Sequence, residues 1–476
     1  MRDRLVKQQT VSRRSVLRGI AGGVVVAPSL GRTNGNWNEV GDRDERADTE
    51  TMAKQSESTD EPPLVTVMTR NLYVGADPRR LLLQSAEEEM GTVVADLLAD
   101  IERSRFDARA QAIADDIAEA RPDLVGLQEV TLLRLQLPGD YVSDAGRTNA
   151  SEYYLDFLGL VQSALAERGL TYGVVSSVTN TDVELPADLD AGLADVRLTD
   201  RDVVLARQGL VTHNPRRHTY DATVTIPFPD GVEFPLVRGY CGIDVEVDDT
   251  EFTFVNTHLD STSASTQLDQ ARELVVDLTA LDRPVVLVGD FNSPADGSET
   301  VTYDLLTQFF VDAYAEREPD SAGYTCCQHP TLRRTRSMLS KRLDLVLLRD
   351  VGPVVDVDRV GLHSADRVST TVDGETHRLW ASDHAGVVAT VRVDPSGTVP
   401  RPSGWERTLS SSQTSTARHS SESANETGAT GANGVNRTDS TGGETTDVAV
   451  PGFGFLAAAI ALGAIAVEAV RRRNAE

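Results

Sequence analysis

Seven apolar runs rich in Val, Ile and Leu recur through the middle of this 476-residue chain, each only three to seven residues long. They cover Leu64–Met68, Leu124–Leu127, Val203–Leu205, Phe252–Val255, Val285–Val288, Leu343–Leu348 and Val387–Val393. Runs this short, bounded by polar residues, read as strands buried on both faces. Between them lie stretches of helical periodicity. Phe106, Ala110, Ile113, Ile117 and Ala120 repeat along one face until Pro122 stops the helix. Further helices are expected over Tyr153–Arg168 and Thr266–Leu281. The alternation predicts an α/β fold over residues 63–394, a length at which roughly 75% of the unfolded surface is buried on folding.

The flanks have a different composition. Residues 1–30 place Arg13-Arg14 before a short apolar stretch from Gly19 to Leu30, too short to span a bilayer. The segment S-R-R-S-V-L resembles the twin-arginine (Tat) export signal, which implies the Tat export machinery as a partner. Residues 31–62 are polar and charged and read as a disordered linker. Residues 395–449 are rich in Ser, Thr and Gly and read as a stalk. Glycosylation patterns occur there at Asn425 and Asn436, and in the folded part at Asn149. Residues 450–476 hold an apolar segment from Pro451 to Val470 followed by Arg471–Arg473, the pattern of a membrane anchor with a cytoplasmic basic end. With its P-G-F-G start, this segment resembles the archaeal Pro-Gly-Phe sorting signal, which implies processing by an archaeosortase-like enzyme; a plain C-terminal anchor is the alternative. Either reading expects the folded part on the outer face of the cell membrane, as a monomer.

The formal net charge is -27, from 73 acidic and 46 basic residues, and the only lysines are Lys7, Lys54 and Lys341. That surface suits concentrated salt, where the screening length falls to ~3 Å at 1 M. A halophile is expected. In molar salt the charge does not exclude a nucleic-acid substrate. Cys241, Cys326 and Cys327 make neither a disulfide framework nor a zinc site by spacing. They read as buried or unpaired thiols, with a bridge from Cys241 to one of the pair as the alternative.

The apolar runs share one further property: several stop at a residue that can do chemistry. Leu64–Met68 leads to Asn71, Leu124–Leu127 to Gln128 and Glu129, Phe252–Val255 to Asn256 and His258, and Val285–Val288 to Asp290 and Asn292. In α/β sheets, sites assemble at strand ends. Carboxylate, amide and imidazole groups gathered there point to metal binding and proton transfer. Asp290 and Asn292 stand two apart, so in an extended segment they would point the same way.

The motifs V-M-T-R-N-L, L-V-G-L-Q-E-V, F-V-N-T-H-L, V-G-D-F-N-S-P, R-L-D-L-V-L-L and S-D-H-A-G-V occur in this order between Val65 and Val393. The series resembles the endonuclease/exonuclease/phosphatase superfamily, whose fold is DNase I-like. The resemblance implies a four-layered sandwich, two mixed β-sheets face to face with helices on both outer sides. It implies hydrolysis of a phosphoester with Mg2+, or Mn2+, as cofactor. Glu129, Asn71 and Asp383 are the metal ligands it implies, and oxygen donors of this kind suit magnesium. Asp290 and Asn292 would activate and orient water, His258 would contact the scissile phosphate, and His384, held by Asp344, would protonate the leaving oxygen. Arg207 and Asn256 are the expected substrate contacts. A phosphodiester or phosphomonoester substrate follows, nucleic acid among them. A phospholipase C-like or sugar phosphate phosphatase stays open, as does a binding module without catalysis. The stretch Thr131–Asp202 matches no branch and is expected to form a helix, a strand and long loops beside the cleft. His213, His218, His329, His363 and His377 lie outside the motifs and read as surface residues.

Overall fold

The computed structural model describes residues 61–394, apart from 79, 82–88, 142–147 and 228–232. The readings of an export signal, stalk and C-terminal anchor, and of the linker up to residue 60, lie outside the described residues. Within them, no helix is long and apolar enough to cross a membrane.

In chain order the strands are β1 (Leu64–Asn71), β2 (Leu124–Gln128), β3 (Leu132–Gln136), β4 (Glu152–Asp156), β5 (Tyr172–Leu189), β6 (Gly192–Arg207), β7 (Val211–Thr219), β8 (Val224–Pro227), β9 (Glu233–Leu236), β10 (Gly239–Val247), β11 (Thr250–His258), β12 (Val285–Asp290), β13 (Val311–Asp312), β14 (Asp344–Arg349), β15 (Val354–Val360), β16 (Val368–Val372), β17 (Glu375–Leu379) and β18 (Gly386–Arg392). The helices are α1 (Met90–Arg103), α2 (Phe106–Ala120), α3 (Phe157–Glu167), α4 (Ala264–Thr279), α5 (Thr302–Leu306) and α6 (Ala313–Arg317).

Two large sheets carry the fold. The first runs β15-β18-β1-β2-β6-β3-β4, with β5 also paired to β6, and the second runs β13-β14-β12-β11-β10-β7. Each contains one parallel pair, β1 with β2 and β11 with β12, among antiparallel neighbours. Their inner faces meet in a core that includes Val67, Leu124 and Val204 from one sheet and Ile243, Phe254, Val288 and Val346 from the other. Burying each such side chain fully stabilises by about 1.5–3 kcal/mol relative to exposure. On the outer face of the first sheet, Ile113 and Ile117 of α2 and Val161 of α3 pack over Val125 and Leu127. On that of the second, Leu274 and Leu278 of α4 cover Val255, Leu287 and Leu347. The layering is helix, sheet, sheet, helix: the DNase I-like sandwich.

One glycine sets how closely the sheets approach. A Cβ on Gly126 would lie 2.6 Å from Val288 Cγ2 and 2.7 Å from Asn256 Oδ1. The missing side chain lets Asn256 reach across from β11 and donate to Leu127 O at 2.9 Å.

Two expectations need correction, and a third needs it in part: Cys241 stands as read, Cys326 and Cys327 do not. Tyr153–Asp156 is strand rather than helix, and the helix begins at Phe157. The stretch expected to hold long loops is dominated by a hairpin of an 18-residue and a 16-residue strand, β5 and β6. Cys241 is a buried free thiol, whereas Cys326 and Cys327 are bonded to each other. At Asn149, the amide nitrogen a glycan would need is instead directed at the Asp140 carboxylate, at 3.2 and 3.3 Å.

Candidate active site

Register brings the chemistry together. His258 ends β11, Asp290 ends β12 and Asp344 begins β14. In the sheet His258 lies directly opposite Asp290, and Asp290 directly opposite Asp344. On the facing sheet, Asn71 ends β1 beside Gln128 at the end of β2, with Glu129 next. Asp383 and His384 precede β18, the antiparallel neighbour of β1. Both sheets therefore deliver their polar ends to one place.

Asp290 is the centre. Its Oδ2 faces His258 Nε2 at 3.7 Å and His384 Nε2 at 3.8 Å, and accepts from Asn71 Nδ2 at 3.0 Å. Its Oδ1 accepts from Asn292 N at 2.9 Å. That last bond closes a turn: the strand ends at Asp290 and Asn292 takes a left-handed φ of 51°. Asn292 stays beside Asp290 through this turn rather than through an extended chain, and its Nδ2 donates to Leu259 O at 3.0 Å. Burial, opposed by His384, pushes the Asp290 carboxyl up to about 6.

The two histidines are held in opposite states. His384 Nδ1 lies 2.8 Å from Asp344 Oδ2 and must donate to it, which leaves Nε2 pointing at Asp290. Burial alone would lower the pKa of this ring; Asp344, Asp290 and Asp383 outweigh it and hold the pKa well above the usual histidine value. His258 has the reverse surroundings. Burial, then Arg238, then His384 hold it well below the usual value, so the ring is neutral. Arg238 Nη1 lies 3.1 Å from His258 Nδ1. A guanidinium only donates, so Nδ1 accepts and Nε2 carries the proton. Arg238 is fixed in turn by Asp200 Oδ2 at 2.8 Å.

Glu129 and Asp383 make the acidic edge. Burial raises Glu129, with Asp200 adding to it. Burial, opposed by His384 and reinforced by Glu129, raises Asp383 to about 7. Two oxygen-donor side chains whose surroundings both oppose ionisation fit a hard divalent cation, which relieves both. Asn71 fits that role less well. Its Oδ1 accepts from Tyr73 N at 2.9 Å, which turns its NH2 toward Glu129 Oε1 at 3.1 Å and toward Asp290. It bridges the acidic edge to Asp290 rather than offering a ligand oxygen.

Two expected substrate contacts lie elsewhere. Arg207 ends β6, which runs antiparallel to β2, so it sits beside the start of β2 and pairs with Asp123. Glu129 is at the other end of that strand. Asn256 is fully buried between the sheets and spends its amide on Leu127 O, Val203 O and Gln128 Nε2.

Other residues complete the site without a sequence signal of their own. Arg238 opens the turn into β10 and reads as one more surface arginine. Arg109, fully buried under α2, donates to Leu72 O, Tyr73 O and Ala381 O and so ties down the backbone that carries Asn71 and Asp383. Arg70, also fully buried, donates to His384 O at 2.7 Å. Full burial of an arginine inside the V-M-T-R-N-L motif is visible only in three dimensions.

Residues 97–384 match the model of the Endonuclease/Exonuclease/phosphatase family. No curated protein matches the chain. Similar solved structures include an endonuclease/exonuclease/phosphatase family protein from Bacteroides thetaiotaomicron, at 15% identity over 70% of this chain and 99% of that one, with a TM-score of 0.44. Another is an endonuclease/exonuclease/phosphatase from Beutenbergia cavernae, at 21% identity over 69% of this chain and 72% of that one, TM-score 0.40. A third is a mannosyl-6-phosphatase from Bacteroides thetaiotaomicron, at 14% identity over 69% and 99%, TM-score 0.41. With its motifs in order, its sandwich fold and a family match over more than half its length, the chain belongs to the Endonuclease/Exonuclease/phosphatase family.

Proposed function

We propose that this protein is a metal-dependent phosphodiesterase whose substrate is a polyanionic strand such as a nucleic acid. The observation that carries the hydrolytic reading is the placement of one buried carboxylate, Asp290, between the imidazoles of His258 and His384, whose surroundings push their pKa values in opposite directions. Environments that push titratable groups apart assign the acid and the base. Asp290, ionised, takes a proton from the attacking water. His258 donates Nε2–H to a non-bridging phosphate oxygen. His384 gives its Nε2 proton to the departing oxygen, with Asp344 at Nδ1 stabilising the charged ring, and the proton that Asp290 took from water then restores Nε2. Asn71 keeps Asp290 and Glu129 in fixed relation. A divalent cation held by Glu129 and Asp383, magnesium or manganese, would neutralise charge at the phosphate.

Support for a polyanion comes from the rim. Residues 331–342 carry Arg333, Arg334, Arg336, Lys341 and Arg342 and no acidic residue, in a chain of net charge -27. The segment is fastened next to the acidic edge. Gln328 N donates to Asp383 O at 2.7 Å, Tyr73 Oη to Pro330 O at 3.1 Å and Trp380 Nε1 to Arg334 O at 2.7 Å. Arg334 and Arg336 are exposed. The guanidinium groups of Arg333, Arg334 and Arg336 have no hydrogen-bond or carboxylate partner among the described residues, whereas Arg80, Arg168, Arg197 and Arg283 are all paired. Unspent arginines beside the reacting phosphate would hold the phosphates that follow it.

The test is a panel in molar salt with magnesium: DNA, RNA, phospholipid vesicles, sugar phosphates and bis-nitrophenyl phosphate, with Glu129→Gln and a chelator as blanks. Exchanging Arg333, Arg334 and Arg336 for Gln should lower kcat/KM on an oligonucleotide at least roughly 10-fold and leave bis-nitrophenyl phosphate unchanged. Equal loss on both substrates, or turnover confined to sugar phosphates, overturns the polyanion reading. Full activity in chelator removes the metal. We place the enzyme outside the cell, exported by the Tat route and held at the membrane by its C-terminal segment, on the strength of Arg13-Arg14 and the Pro451–Arg473 pattern. Lysine at both positions 13 and 14 should keep it inside; its arrival at the surface would disprove that route.

A further inference from the structure

At the far end of the β5–β6 hairpin, seven residues along β6 from the buried Asp202, four oxygen-bearing side chains converge. Asp195 is on β6, opposite Pro186 of β5 and Gln136 of β3. Glu184 is on β5. Asp140 and Asn149 come from the connection between β3 and β4. One carboxylate oxygen from each of Asp140, Glu184 and Asp195 lies within 4.8 Å of the other two. Asn149 joins them through its Nδ2, which reaches both oxygens of Asp140.

The hydrogen bonding of this group is incomplete in a consistent way. Asp195 Oδ2 accepts from Asp140 N at 2.6 Å and Tyr141 N at 3.1 Å, but its Oδ1 is buried without a partner. Glu184 Oε2 accepts from Ala150 N at 2.8 Å, and its Oε1 is buried without a partner. Asn149 Oδ1 is a third such oxygen. The Asp195 and Glu184 side chains belong to residues 0% and 4% exposed. Gly139 lets the loop press this closely: a Cβ there would lie 2.6 Å from Asp195 Oδ1. Arg197, the arginine two residues on, spends its Nε and Nη2 on Asp182 and favours the charged Glu184 only through space, too little to offset its burial.

A buried acceptor left bare costs the desolvation of that atom, and three carboxylates crowded together add their mutual repulsion. A hard cation removes both costs at once. Calcium takes six to eight oxygens at about 2.3–2.6 Å, so its ligands lie no more than about 5 Å apart, the spread found here. All three ligands offer oxygen and none offers nitrogen or sulfur, which disfavours zinc and copper.

We propose that Asp140, Glu184 and Asp195 form a calcium site, separate from the catalytic centre, that fastens the β5–β6 hairpin to the β3–β4 connection, with Asn149 holding Asp140 in place. Water completes the shell.

The test uses the full chain, stripped with chelator and held in molar salt with saturating magnesium. Equilibrium dialysis against radioactive calcium should find one ion bound per chain, and calcium should raise the melting temperature by about 5 °C. Glu129→Gln should keep both effects, because it alters only the catalytic edge. The double variant Glu184→Gln/Asp195→Asn should bind no calcium and melt no lower than calcium-free wild type. Should that variant not fold, Asp140→Asn, at a half-buried position, should still fold and weaken calcium binding at least roughly 10-fold. No bound calcium in wild type, calcium retained by every variant at these positions, or its loss in Glu129→Gln would each overturn the proposal.

Discussion

Arg238 fixes the tautomer of His258 by donating to its Nδ1 at 3.1 Å, and so aims the ring's only proton at Asp290 and the space in front of it. Arg238→Met removes that constraint and one of the three causes that lower the histidine pKa, after burial and ahead of His384. Two outcomes follow. The His258 titration, followed by NMR, should move up toward the ordinary histidine range. Turnover should fall at least roughly 10-fold, because part of the population now presents a lone pair to the phosphate oxygen. An unchanged titration with unchanged turnover would leave Arg238 a packing residue only.

The pH profile should be bell-shaped, with its two limbs set by the histidine and the carboxylate that face each other. Asp290 works ionised and is pushed up to about 6, chiefly by burial. Activity therefore rises as pH climbs through about 6. His384 works protonated, and its surroundings hold it above the ordinary value of about 6.5. Activity falls once pH passes that raised value. Asp344 is the first of the carboxylates that oppose burial at this ring. Asp344→Asn should therefore draw the alkaline limb of kcat/KM toward lower pH, and the acid limb the same way, because Asp344 also raises Asp290. Because these groups titrate together, the limbs describe the set rather than single residues. An alkaline limb that does not move in Asp344→Asn would remove His384 from the acid role.

Much of this site was legible in one dimension, and its failures have physical causes. Short apolar runs ending in Glu129, His258 and Asp290 are local patterns, and each residue does stand at a strand end. Arg207 stands at a strand end too, but β6 runs against β2, and direction cannot be read from a single run. Asn256 lies within the same strand as His258 and two residues before it, yet it is directed between the sheets. The β5–β6 hairpin escaped notice because its residues alternate Asp, Thr and Arg with small apolar ones, a pattern that composition alone reads as loop. Arg70 and Arg109 escaped because an arginine's sequence neighbours do not reveal full burial. Their partners are carbonyls that come together only when β1, α2 and the Ala381–His384 turn pack.

Stability should rise steeply with salt. If every basic residue is matched to an acidic one, 27 negative charges remain. Salt also weakens the exposed pairs, such as Arg80 with Asp96 and Arg272 with Asp269. Exposed pairs contribute only about 0–1 kcal/mol each, so relief of the net repulsion wins. Melting curves between low and molar KCl should show the midpoint climbing throughout. A midpoint that is flat or falls with salt would contradict the halophilic reading.

The decisive variants are Asp290→Asn and His384→Ala. Water is a poor nucleophile and an alkoxide a poor leaving group, so hydrolysis needs a base at one end and an acid at the other. A positioned acid or base contributes roughly 10² to 10⁴ in rate. Asp290→Asn keeps the size of the side chain and can still accept from Asn292 N, but it cannot take a proton. His384→Ala removes the acid and strips the Asp344 carboxylate, already carrying one unpartnered buried oxygen, of the imidazole that its other oxygen accepts from. Each should lower kcat by at least roughly 10². Asp290→Asn should hardly change the melting temperature, since a neutral amide relieves the carboxylate's burial cost. His384→Ala should lower it modestly, through the stranded Asp344. In the double variant the loss should be much smaller than the product of the single losses, because both groups act in one transition state and neither is useful without the other. Fully multiplicative losses would mean that the two residues act in separate steps, and near-normal turnover in Asp290→Asn would show that the G-D-F-N segment is a turn without catalytic work.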